Sequence, residues 1–585
     1  MYKIVSINLV IYLSLSIILC FFINDSAQCF ASSSIIRQQE QINREQDEQL
    51  RNLKQQHENA QDSEPSRIEI NQPAPTVEGA EAGGCVQIDS IVFVGATLLS
   101  ESDKAGLSEP FIRRCLNISQ INEVLRATTN LYIQRGYVTT RAIVPAQDLG
   151  SGKLEIRVIE GEVESIMLNE DSAADRRRIA TAFPFGIVGR PLNLRDIEQG
   201  MDQLNRLPSG NAQLRIEPGE KVGASRIVVT DEPGKVWRFR VGLDNSGQES
   251  TGETKSSASV DTDNLLGLND MLSLNLSADA KAVLDGSRPG SRNVSGYYTV
   301  PFGYWSVTAS ASLSEYYTHL DGGGARYASD GRTSTYGLDL NRVLHRGGES
   351  KTTAGVSLNI KDVDNYIESE RLVAGSYDLT VLGASLGHNR RFIDGVLGLR
   401  AEFQLGLPLL GAERDSTSDE SVPKHEFRKL SLTGSWVRPF DIDGHPFTFS
   451  TQGVAQWSPD TLYNSERLDL GGRYTVRGFQ LDSLGGDSGG YVRNEIAMSI
   501  LPQARSAWFA SVFNDLQVYA GYDAGFIHRD KEDEYERGVL QGAVLGLRTE
   551  GGPLETDLCV SRPLDAPSFM KNRDWEIYWS LNSNF

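Results

Sequence analysis

The chain ends in the stretch Trp575-Glu-Ile-Tyr-Trp-Ser-Leu-Asn-Ser-Asn-Phe585. Large apolar side chains occupy almost every second position, and mostly polar side chains stand between them. A strand with this period turns one face toward an apolar medium and the other toward water. A terminal strand of this kind that closes on an aromatic residue is typical of barrels that cross a membrane with strands. Phe585 is therefore the expected assembly signal.

The same alternation continues through the sequence from about residue 235 to the end. Val236–Asp244 sets Trp, Phe, Val and Leu on one face against Arg, Arg, Gly and Asp on the other. Further alternating segments lie at Leu272–Leu276, Leu516–Phe526, Ala543–Leu547 and Leu554–Val560, and long polar loops are expected at Gly322–Thr333 and Gly411–Pro423. At about 10 residues for each tilted strand, with as many again in turns, residues 235–585 hold on the order of 16 antiparallel strands. A barrel of that width has an open lumen.

Composition narrows the alternatives. The 585 residues carry a formal net charge of −20, which excludes a generally basic binder of nucleic acid. No apolar stretch beyond residue 31 is long enough for a helical membrane span, so strands must do the crossing. A soluble β-sandwich or propeller is the alternative, but it would show continuous core runs or blade repeats, and neither is visible.

The N-terminal region has three parts that differ in amino-acid composition. Residues 1–31 contain Lys3, an apolar run over Ile4–Ile23 and a small-x-small site at Cys29-Phe30-Ala31, which predicts a secretory signal peptide. The alternative is an N-terminal membrane anchor, because the apolar run approaches the length of a spanning helix. Residues 32–60 are rich in Gln, Glu and Arg and predict one solvated helix, and the Pro- and Gly-containing residues 61–84 predict a flexible linker.

Residues 85–161 and 162–234 read as two small α/β modules in tandem. In the first, Val86–Val94 predicts a strand, and Ser119 predicts the start of a helix that ends at Gly136. The order of strands and helices then recurs in the second module. Its elements are expected at Glu164–Leu168, Ala173–Ala182, Asn193–Leu207, Ala212–Glu217 and Ser225–Thr230.

Cys85 and Cys115 bracket the expected first strand and helix of the first module. Cys20 and Cys29 leave with the signal peptide, and Cys559 lies far along the chain in a different kind of sequence. The pattern therefore predicts a Cys85–Cys115 disulfide in an oxidising compartment. Two free buried cysteines are the alternative.

Several ordered motifs resemble those of one family of transporters. Gly136–Arg141, followed by Pro145–Leu149 and Gly152–Gly161, resembles the first POTRA domain of the two-partner secretion transporters, the FhaC/ShlB family within the Omp85 superfamily. The second POTRA domain is resembled by Leu194–Gln199, Leu204–Leu207, Pro218-Gly219 and Gly223–Ser225. Val476-Arg477-Gly478-Phe479 resembles the tip of the family's inward-folded loop, with Arg493-Asn494-Glu495 resuming the next strand. Tyr522-Asp523-Ala524-Gly525 resembles the family motif that holds an acidic partner for that Arg.

The resemblance covers essentially the whole mature chain and carries definite expectations. It implies a 16-stranded outer-membrane barrel, two periplasmic POTRA domains, an N-terminal plug helix over residues 32–60 and a conserved loop around residues 467–492 that folds back into the barrel. The implied function is export of one large unfolded exoprotein, a haemolysin, adhesin or contact-dependent toxin, across the Gram-negative outer membrane without nucleotide hydrolysis. The expected partners are this exoprotein, outer-membrane lipid and the barrel-assembly machinery that inserts the chain itself.

The residues independently favour a contact between Arg477 and Asp523. Leu516, Val518, Ala520 and Tyr522 share the apolar face of their strand, so Asp523 faces the lumen. A guanidinium brought inside can bind a carboxylate through two hydrogen bonds and fix the geometry better than Lys can. The alternative is that Arg477 is a solvated loop charge and Asp523 one of many lumenal acids.

The second module offers a candidate strand for binding the substrate. An extended chain that adds to an exposed sheet edge gains backbone hydrogen bonds with little demand on its sequence. The candidate edge is Ala212-Gln213-Leu214-Arg215-Ile216-Glu217. The alternative is that Arg215 and Glu217 merely protect this edge from aggregation.

Rival functions are weaker on the same sequence. Gly383-Ala384-Ser385-Leu386-Gly387 matches the G-x-S-x-G pattern of serine hydrolases, but it continues an alternating strand where that chemistry needs a strand–turn–helix elbow. No P-loop, zinc-ligand spacing or carboxylate pair stands out, so no catalytic residue, cofactor or metal is expected. An Omp85-type insertase that folds other barrels has similar parts, and a passive porin would not need a POTRA pair.

Overall fold

The computed structural model describes residues 84–585 apart from 249, 289, 323–324, 416–418, 481, 501–506, 529–536 and 571–573. The predicted signal peptide (residues 1–31), the predicted plug helix (residues 32–60) and all but the last residue of the predicted linker lie outside this range. The described part consists of two α/β modules followed by a closed barrel.

The first module follows the expected order but divides its first strand. Its elements are β1 Val86–Ile88, β2 Ser90–Val94, α1 Glu101–Ser108, β3 Arg114–Leu116, α2 Ile118–Gln134, β4 Arg141–Ile143 and β5 Lys153–Ile159. β1 pairs with β3, whereas β2 pairs parallel with β5, so the predicted single strand serves two sheets. Asn117, and not the predicted Ser119, caps α2, because its side chain accepts from the Gln120 N–H while the Gln120 side chain accepts from the Asn117 N–H.

The second module contains a three-stranded sheet covered by two helices. Its elements are β6 Glu162–Leu168, α3 Ala173–Ala182, α4 Leu194–Asn205, β7 Ala212–Pro218 and β8 Ala224–Asp231. The strand order is β6-β8-β7, with β6 parallel and β7 antiparallel to β8. Apolar residues of α4 lie on one side of the helix and enter the core with the sheet, as the 3.6-residue period requires. The core includes Leu194, Ile197, Met201, Leu204, Ile227 and Val229.

The remaining strands belong to the barrel and to its loops. They are β9 Trp237–Asp244, β10 Lys255–Asp263, β11 Met271–Asp279, β12 Ser291–Phe302, β13 Trp305–Gly322, β14 Ala325–Arg346, β15 Ser350–Ile367, β16 Glu370–Arg371, β17 Tyr377–Phe392, β18 Gly395–Gly406, β19 Arg428–Ile442, β20 His445–Trp457, β21 Leu468–Leu470, β22 Leu484–Gly486, β23 Gly489–Ser499, β24 Asn514–Ile527, β25 Gly538–Gly551, β26 Leu554–Asp565 and β27 Glu576–Asn584. β16 extends only the end of β15, and β21 and β22 pair with each other in a loop. The other strands close a sixteen-stranded antiparallel barrel, as expected.

The barrel closes between its first and last strands. β27 pairs antiparallel with β9 from Ser580 opposite Asp244 to Asn584 opposite Arg240. Phe585 continues this ladder, since its N–H donates to the Phe239 carbonyl at 2.9 Å. The C-terminal residue therefore takes part in closing the cylinder.

The period-two pattern of the sequence corresponds to the two faces of the wall. On β9, Trp237, Phe239, Val241 and Leu243 are all exposed on the outer face. The lumen holds a polar cavity of about 840 Å³. Its lining includes the charged residues Lys351, Lys361, Arg400, Glu402, Lys429 and Arg493. An apolar exterior and a charged interior are the arrangement of a membrane barrel with a water-filled lumen.

One predicted loop is instead part of a long hairpin. Gly322–Thr333 was expected as a polar loop, yet β13 and β14 continue their pairing to Gly322 opposite Ala325. Polar side chains fit both faces of strands that extend beyond the membrane into water, so polarity alone marks no loop there. Short helices α5 Ala280–Asp285 and α6 Ala507–Phe513 lie between barrel strands. No helix in the described ranges is long and apolar enough to cross a membrane.

Candidate functional site

The connection between β20 and β23, residues 458–488, folds into the barrel. We call it the lumenal loop. β21 and β22 form a short antiparallel hairpin in it, from Leu468 opposite Gly486 to Leu470 opposite Leu484. The strand after the loop starts at Gly489, so the predicted loop around 467–492 overlaps the first residues of β23. Apolar loop residues pack against the wall in one buried cluster with Ile527 and Leu540.

The tip of the lumenal loop is held by an ion pair with Asp523. The Arg477 Nε donates to Asp523 Oδ2 at 2.6 Å and its Nη2 donates to Asp523 Oδ1 at 2.9 Å, while its backbone N–H also reaches Oδ2 at 3.2 Å. Its remaining Nη1 donates to Glu495 Oε2 at 3.0 Å. Asp523 is fully buried and Arg477 is 4% exposed. A paired, two-bond contact of this kind fixes both the position and the orientation of the loop tip.

Glycines on β24 and β25 make room for this tip. A Cβ added at Gly542 would lie 1.9 Å from the Arg477 carbonyl oxygen. One added at Gly521 would lie 2.7 Å from Arg477 Nη2, and one at Gly525 would lie 3.0 Å from Val476. The wall therefore accommodates the loop through missing side chains as well as through the carboxylate.

The other residues of the tip are also engaged. Val476 is fully buried and Phe479 is 2% exposed, both in the apolar cluster of the loop. Gly478 has φ +104, a conformation that favours glycine, and its N–H donates to the Tyr578 hydroxyl at 3.3 Å. The next contact is from the Gln480 N–H to the Glu576 carboxylate at 2.7 and 2.8 Å. The tip thus reaches the last barrel strand.

The base of the lumenal loop has a second attachment that the sequence did not indicate. Glu466 is 4% exposed and forms ion pairs with Lys361 of β15, at 2.7 Å, and with Lys429 of β19. Arg467 beside it donates to Asp487 at the other end of the loop at 3.2 Å. Glu466 is one acid in an irregular loop, and its lysines come from two separate strands, so no spacing rule connects them.

The candidate substrate strand lies at a sheet edge. Within the part of the chain that the structure describes, β7 pairs with β8 on one side only. It contains all six predicted residues, Ala212, Gln213, Leu214, Arg215, Ile216 and Glu217. On the other side, the Ala212 N–H donates to the Asn205 side chain, which donates in turn to the Ala212 carbonyl. Alternate residues of an antiparallel strand point their N–H groups to the same side, so Leu214 and Ile216 direct theirs away from β8.

The sequence block 136–141 joins the two modules. Val138 packs into the core of the second module, although it lies within the predicted bounds of the first. The Leu194 N–H at the start of α4 donates to the Gly136 carbonyl at 2.8 Å. Gly136 has φ +93, and a Cβ on it would lie 2.5 Å from the Asn193 side-chain oxygen. Glycine is thus required where the first module meets the helix of the second.

The second module also docks on the near end of the barrel. Arg346, at the end of β14, is buried and forms an ion pair with Asp202 of α4. The Gln199 and Gln203 side chains both donate to the Gly303 carbonyl, at 2.9 and 3.0 Å, in the turn between β12 and β13. These contacts link α4 to two different hairpins and set the orientation of the module.

Partly buried polar groups strengthen this junction. The Tyr304 hydroxyl donates to Asp196 at 2.6 Å. Burial raises the pKa of Asp196, and the Tyr304 hydrogen bond acts in the opposite direction. Arg206 donates to the Asn269 carbonyl at 2.8 Å, and burial lowers the pKa of Arg206 to about 10. Polar groups buried at such a junction favour one geometry over sliding.

The structure joins Cys85 and Cys115 by a disulfide, with Cys559 buried as a free thiol. Gly383–Gly387, the hydrolase-like pattern, lies inside β17 and pairs with β15 and β18. A nucleophile elbow needs a sharp turn into a helix at this point, and the chain has a continuous strand instead.

A closed barrel with two α/β modules on its N-terminal side and a loop bound in its lumen defines an outer-membrane transporter of the Omp85 type. The comparisons with known proteins assign the family. The model of the haemolysin secretion/activation proteins ShlB/FhaC/HecB matches residues 223–549. The ShlB-type POTRA domain matches residues 86–161, and a second POTRA domain matches residues 162–218.

Relatives and solved structures agree with this match. The outer membrane transporter CdiB of Escherichia coli is 36% identical over 513 residues, which are 87% of this chain and 84% of that protein. The hemolysin transporter protein ShlB of Serratia marcescens is 32% identical over 72% of this chain and 73% of its own length. The structure of CdiB from Escherichia coli superposes with a TM-score of 0.83 at 34% identity, covering 94% of this chain and 98% of that one.

The chain therefore belongs to the ShlB/FhaC/HecB family of haemolysin secretion/activation proteins, and it is an outer-membrane transporter of two-partner secretion. Its barrel lies in the outer membrane and its POTRA domains lie in the periplasm. The hairpin turns that contact the second POTRA domain are accordingly at the periplasmic end of the barrel. Relatives such as CdiB and ShlB are described as transporters, and the comparisons do not favour the insertase alternative.

Proposed function

We propose that this transporter binds one large exoprotein in unfolded form along β7 of its second POTRA domain and passes it through the barrel without nucleotide hydrolysis. The observation that carries the proposal is the free edge of β7, where Leu214 and Ile216 direct backbone N–H groups away from β8. An extended chain can pair with such an edge whatever its side chains. Asn205 already satisfies the first residue, Ala212, which leaves the middle of the strand as the pairing segment.

The barrel provides the path across the membrane, and folding of the exoprotein provides the free energy for its passage. The lumen is polar and charged, which suits a hydrated chain in transit. Folding of the exoprotein outside the cell removes the emerged segment from the equilibrium, so passage is favoured without an ATP site. The lumenal loop lies along this path and has to be held where it shapes the conduit. Arg477 and Asp523 are the residues that hold its tip.

Site-specific photo-crosslinking in exporting cells tests the binding edge. A photoreactive residue at Gln213 or Arg215, both exposed on β7, should form adducts with the exoprotein. Ala174 on α3 is the matched control, because it is also exposed on the same domain but lies on a helix. Equal adduct yields at Ala174 and the β7 positions would contradict binding at this edge.

We further propose that residues 32–60 form a helix that closes the lumen at rest. The support is the polar, helix-forming composition of the segment together with a lumen wide enough to need closure. Removing residues 32–59 should raise the conductance of the protein in planar bilayers while export continues. Conductance and open probability equal to those of the full chain would contradict the plug.

The chain is proposed to catalyse no reaction of its own. The one hydrolase-like pattern, Gly383–Gly387, is part of a barrel strand. The family to which the chain belongs consists of secretion transporters. Incubating the purified protein with ester substrates tests this directly. Hydrolysis that is lost in Ser385→Ala would overturn it.

A further inference from the structure

A fully exposed aromatic side chain stands on the second POTRA domain, close to the membrane end of the barrel. Phe185, in the connection between α3 and α4, is 99% exposed, and Val188 after it is 54% exposed. Single exposed apolar residues are ordinary on protein surfaces, so the location of Phe185 decides whether it has a role.

The connection containing Phe185 packs on the periplasmic turn between β12 and β13. The Gly303 N–H in that turn donates to the Thr181 carbonyl at 2.8 Å. A Cβ added at Gly303 would lie 2.9 Å from the Pro184 Cα. Since consecutive Cα atoms are about 3.8 Å apart, the Phe185 Cα lies within about 7 Å of that Cβ position.

The residues on both sides of that turn face lipid. Phe302 and Trp305 are exposed on the outer wall, whereas Thr299 on β12 and Ser306 on β13 line the lumen. Aromatic residues at the end of a barrel strand mark the level of the membrane interface. Phe185 therefore stands beside the periplasmic aromatic girdle of the barrel.

A second exposed apolar group lies at the neighbouring turn, with basic residues close by. Leu265 and Leu266, between β10 and β11, are 48% and 57% exposed. Arg177 of α3 approaches this turn, since its Nη2 lies 3.5 Å from the position of a Cβ on Gly267. Arg176 next to it is also exposed. Apolar side chains beside arginines are the combination that binds the headgroup region of a phospholipid bilayer.

We propose that Phe185, Leu265 and Leu266, with Arg177, form a phospholipid-binding surface through which the second POTRA domain rests on the periplasmic leaflet of the outer membrane. Phe185 inserts at the acyl boundary and Arg177 binds lipid phosphate. The surface continues the lipid-facing girdle of Phe302 and Trp305 onto the periplasmic domain. It adds a membrane contact to the protein contacts made by Gln199, Gln203 and Arg346.

Spin labelling of the full-length transporter in nanodiscs of phosphatidylethanolamine and phosphatidylglycerol tests this surface. A nitroxide is attached at Phe185→Cys and, as the matched control, at Val222→Cys. Val222 is 92% exposed on the same domain, and its neighbour Gly223 lies against Ile159 of the first POTRA domain. It precedes β8, whose opposite end leads into the first barrel strand. Once the predicted signal peptide with Cys20 and Cys29 is removed, the parent protein should not label, because Cys85 and Cys115 are joined and Cys559 is buried.

Power saturation with oxygen and with a water-soluble nickel complex reports the depth of each label. If the surface binds the membrane, oxygen should enhance the relaxation of the label at 185 more than the nickel complex does, and the nickel complex should act more strongly on the label at 222. Arg177→Gln should make the label at 185 more accessible to the nickel complex. Two labels that both respond mainly to nickel would overturn the proposal. A label at 185 that becomes immobile only when the exoprotein is added would assign the surface to the exoprotein instead.

Discussion

Glu466 and Arg477 belong to the same lumenal loop but bind different sectors of the barrel wall. Glu466 is held by Lys361 on β15 and Lys429 on β19, whereas Arg477 binds Asp523 on β24. The loop is therefore attached at its base and at its tip, and it crosses part of the lumen between the two attachments. A loop held in this way can release its tip while the base stays in place.

The glycine opposite the loop tip offers a test by added volume. In Gly542→Ala the new Cβ would stand 1.9 Å from the Arg477 carbonyl, so the tip must move away from the wall. We expect export to fall and the barrel to persist, as judged from secreted exoprotein and from heat-modifiable barrel in the outer membrane.

The matched control for this substitution is Gly387→Ala on β17. Its Cβ would meet nothing closer than 3.9 Å, and Gly387 is also a barrel-strand glycine. Export by Gly387→Ala should match the parent protein. Equal losses in the two alanine variants would show that the effect comes from the strands and not from the loop.

The contacts at the base of the lumenal loop should be removable without loss of the contacts at its tip. Glu466→Gln removes the charge that the buried Lys429 and the partly buried Lys361 share. Breaking a buried ion pair by neutralising one partner typically costs about 3–5 kcal/mol of local stability. We expect more frequent channel openings in planar bilayers while the tip contacts remain. The control is Glu402→Gln, because Glu402 is another acid that lines the lumen. Glu495 is not suitable, because it accepts a hydrogen bond from Arg477. Identical open probability in Glu466→Gln and the parent protein would count against a second attachment.

The disulfide of the first POTRA domain should stabilise that domain alone. Cys85 and Cys115 are separated by 30 residues, for which chain-entropy reasoning gives about 3–4 kcal/mol. Cys85→Ser with Cys115→Ser should therefore expose the amides of residues 86–161 to hydrogen exchange, with the barrel unchanged. Alkylation of the mature protein under denaturing conditions without reduction, followed by mass spectrometry, should find one free thiol, Cys559. Modification of Cys85 and Cys115 without prior reduction would contradict the pairing.

The stability of α1, the first helix of the same domain, should depend on pH. Hydrogen bonds from Arg135 and Ser100 hold the pKa of Asp103 well below its usual value. A carboxyl with a lowered folded pKa stabilises the fold above its unfolded pKa, near 4, and loses this contribution as the pH falls toward the folded value. Hydrogen exchange of α1, corrected for intrinsic rates, should speed up below about pH 4. Asp103→Asn should remove this acid dependence, and an unchanged profile would refute the assignment.

Period and composition were sufficient for the barrel, because lipid on one side and water on the other impose alternation on every strand. The same logic placed Asp523 toward the lumen, since its neighbours Tyr522 and Ala524 share the opposite face. It misjudged Gly322–Thr333, where strands continue beyond the membrane and neither face is required to be apolar. Asn117 was missed as the cap of α2 because Ser119 offers the same chemistry two positions later.

The contacts of the lumenal loop were only half predictable. Arg477 stands in a short motif with a recognisable partner segment, so sequence alone could suggest the pair. Glu466 has no such motif, and its lysines lie on strands that only the closed barrel brings near it. The space at Gly542 is a property of two backbones approaching each other, and a glycine in a strand does not reveal what will occupy that space.

We expect the Arg477–Asp523 pair to be required for export and not for formation of the barrel. Arg477→Ala leaves Asp523 buried without its main cation, whereas Glu495 keeps Arg548 at 2.5 Å. In Asp523→Ala, Arg477 keeps its hydrogen bond to Glu495 at 3.0 Å. The loss of export in Asp523→Ala should therefore be equal to or smaller than the loss in Arg477→Ala. The double variant should be no worse than Arg477→Ala, because both changes remove one shared contact.

The most direct measurement is therefore exoprotein in the medium, read beside heat-modifiable barrel in the outer membrane, for Arg477→Ala, Asp523→Ala and the double variant. We expect a sharp fall in export, normal barrel levels and a non-additive double variant. Normal export by Arg477→Ala, or loss of the barrel itself, would contradict this expectation.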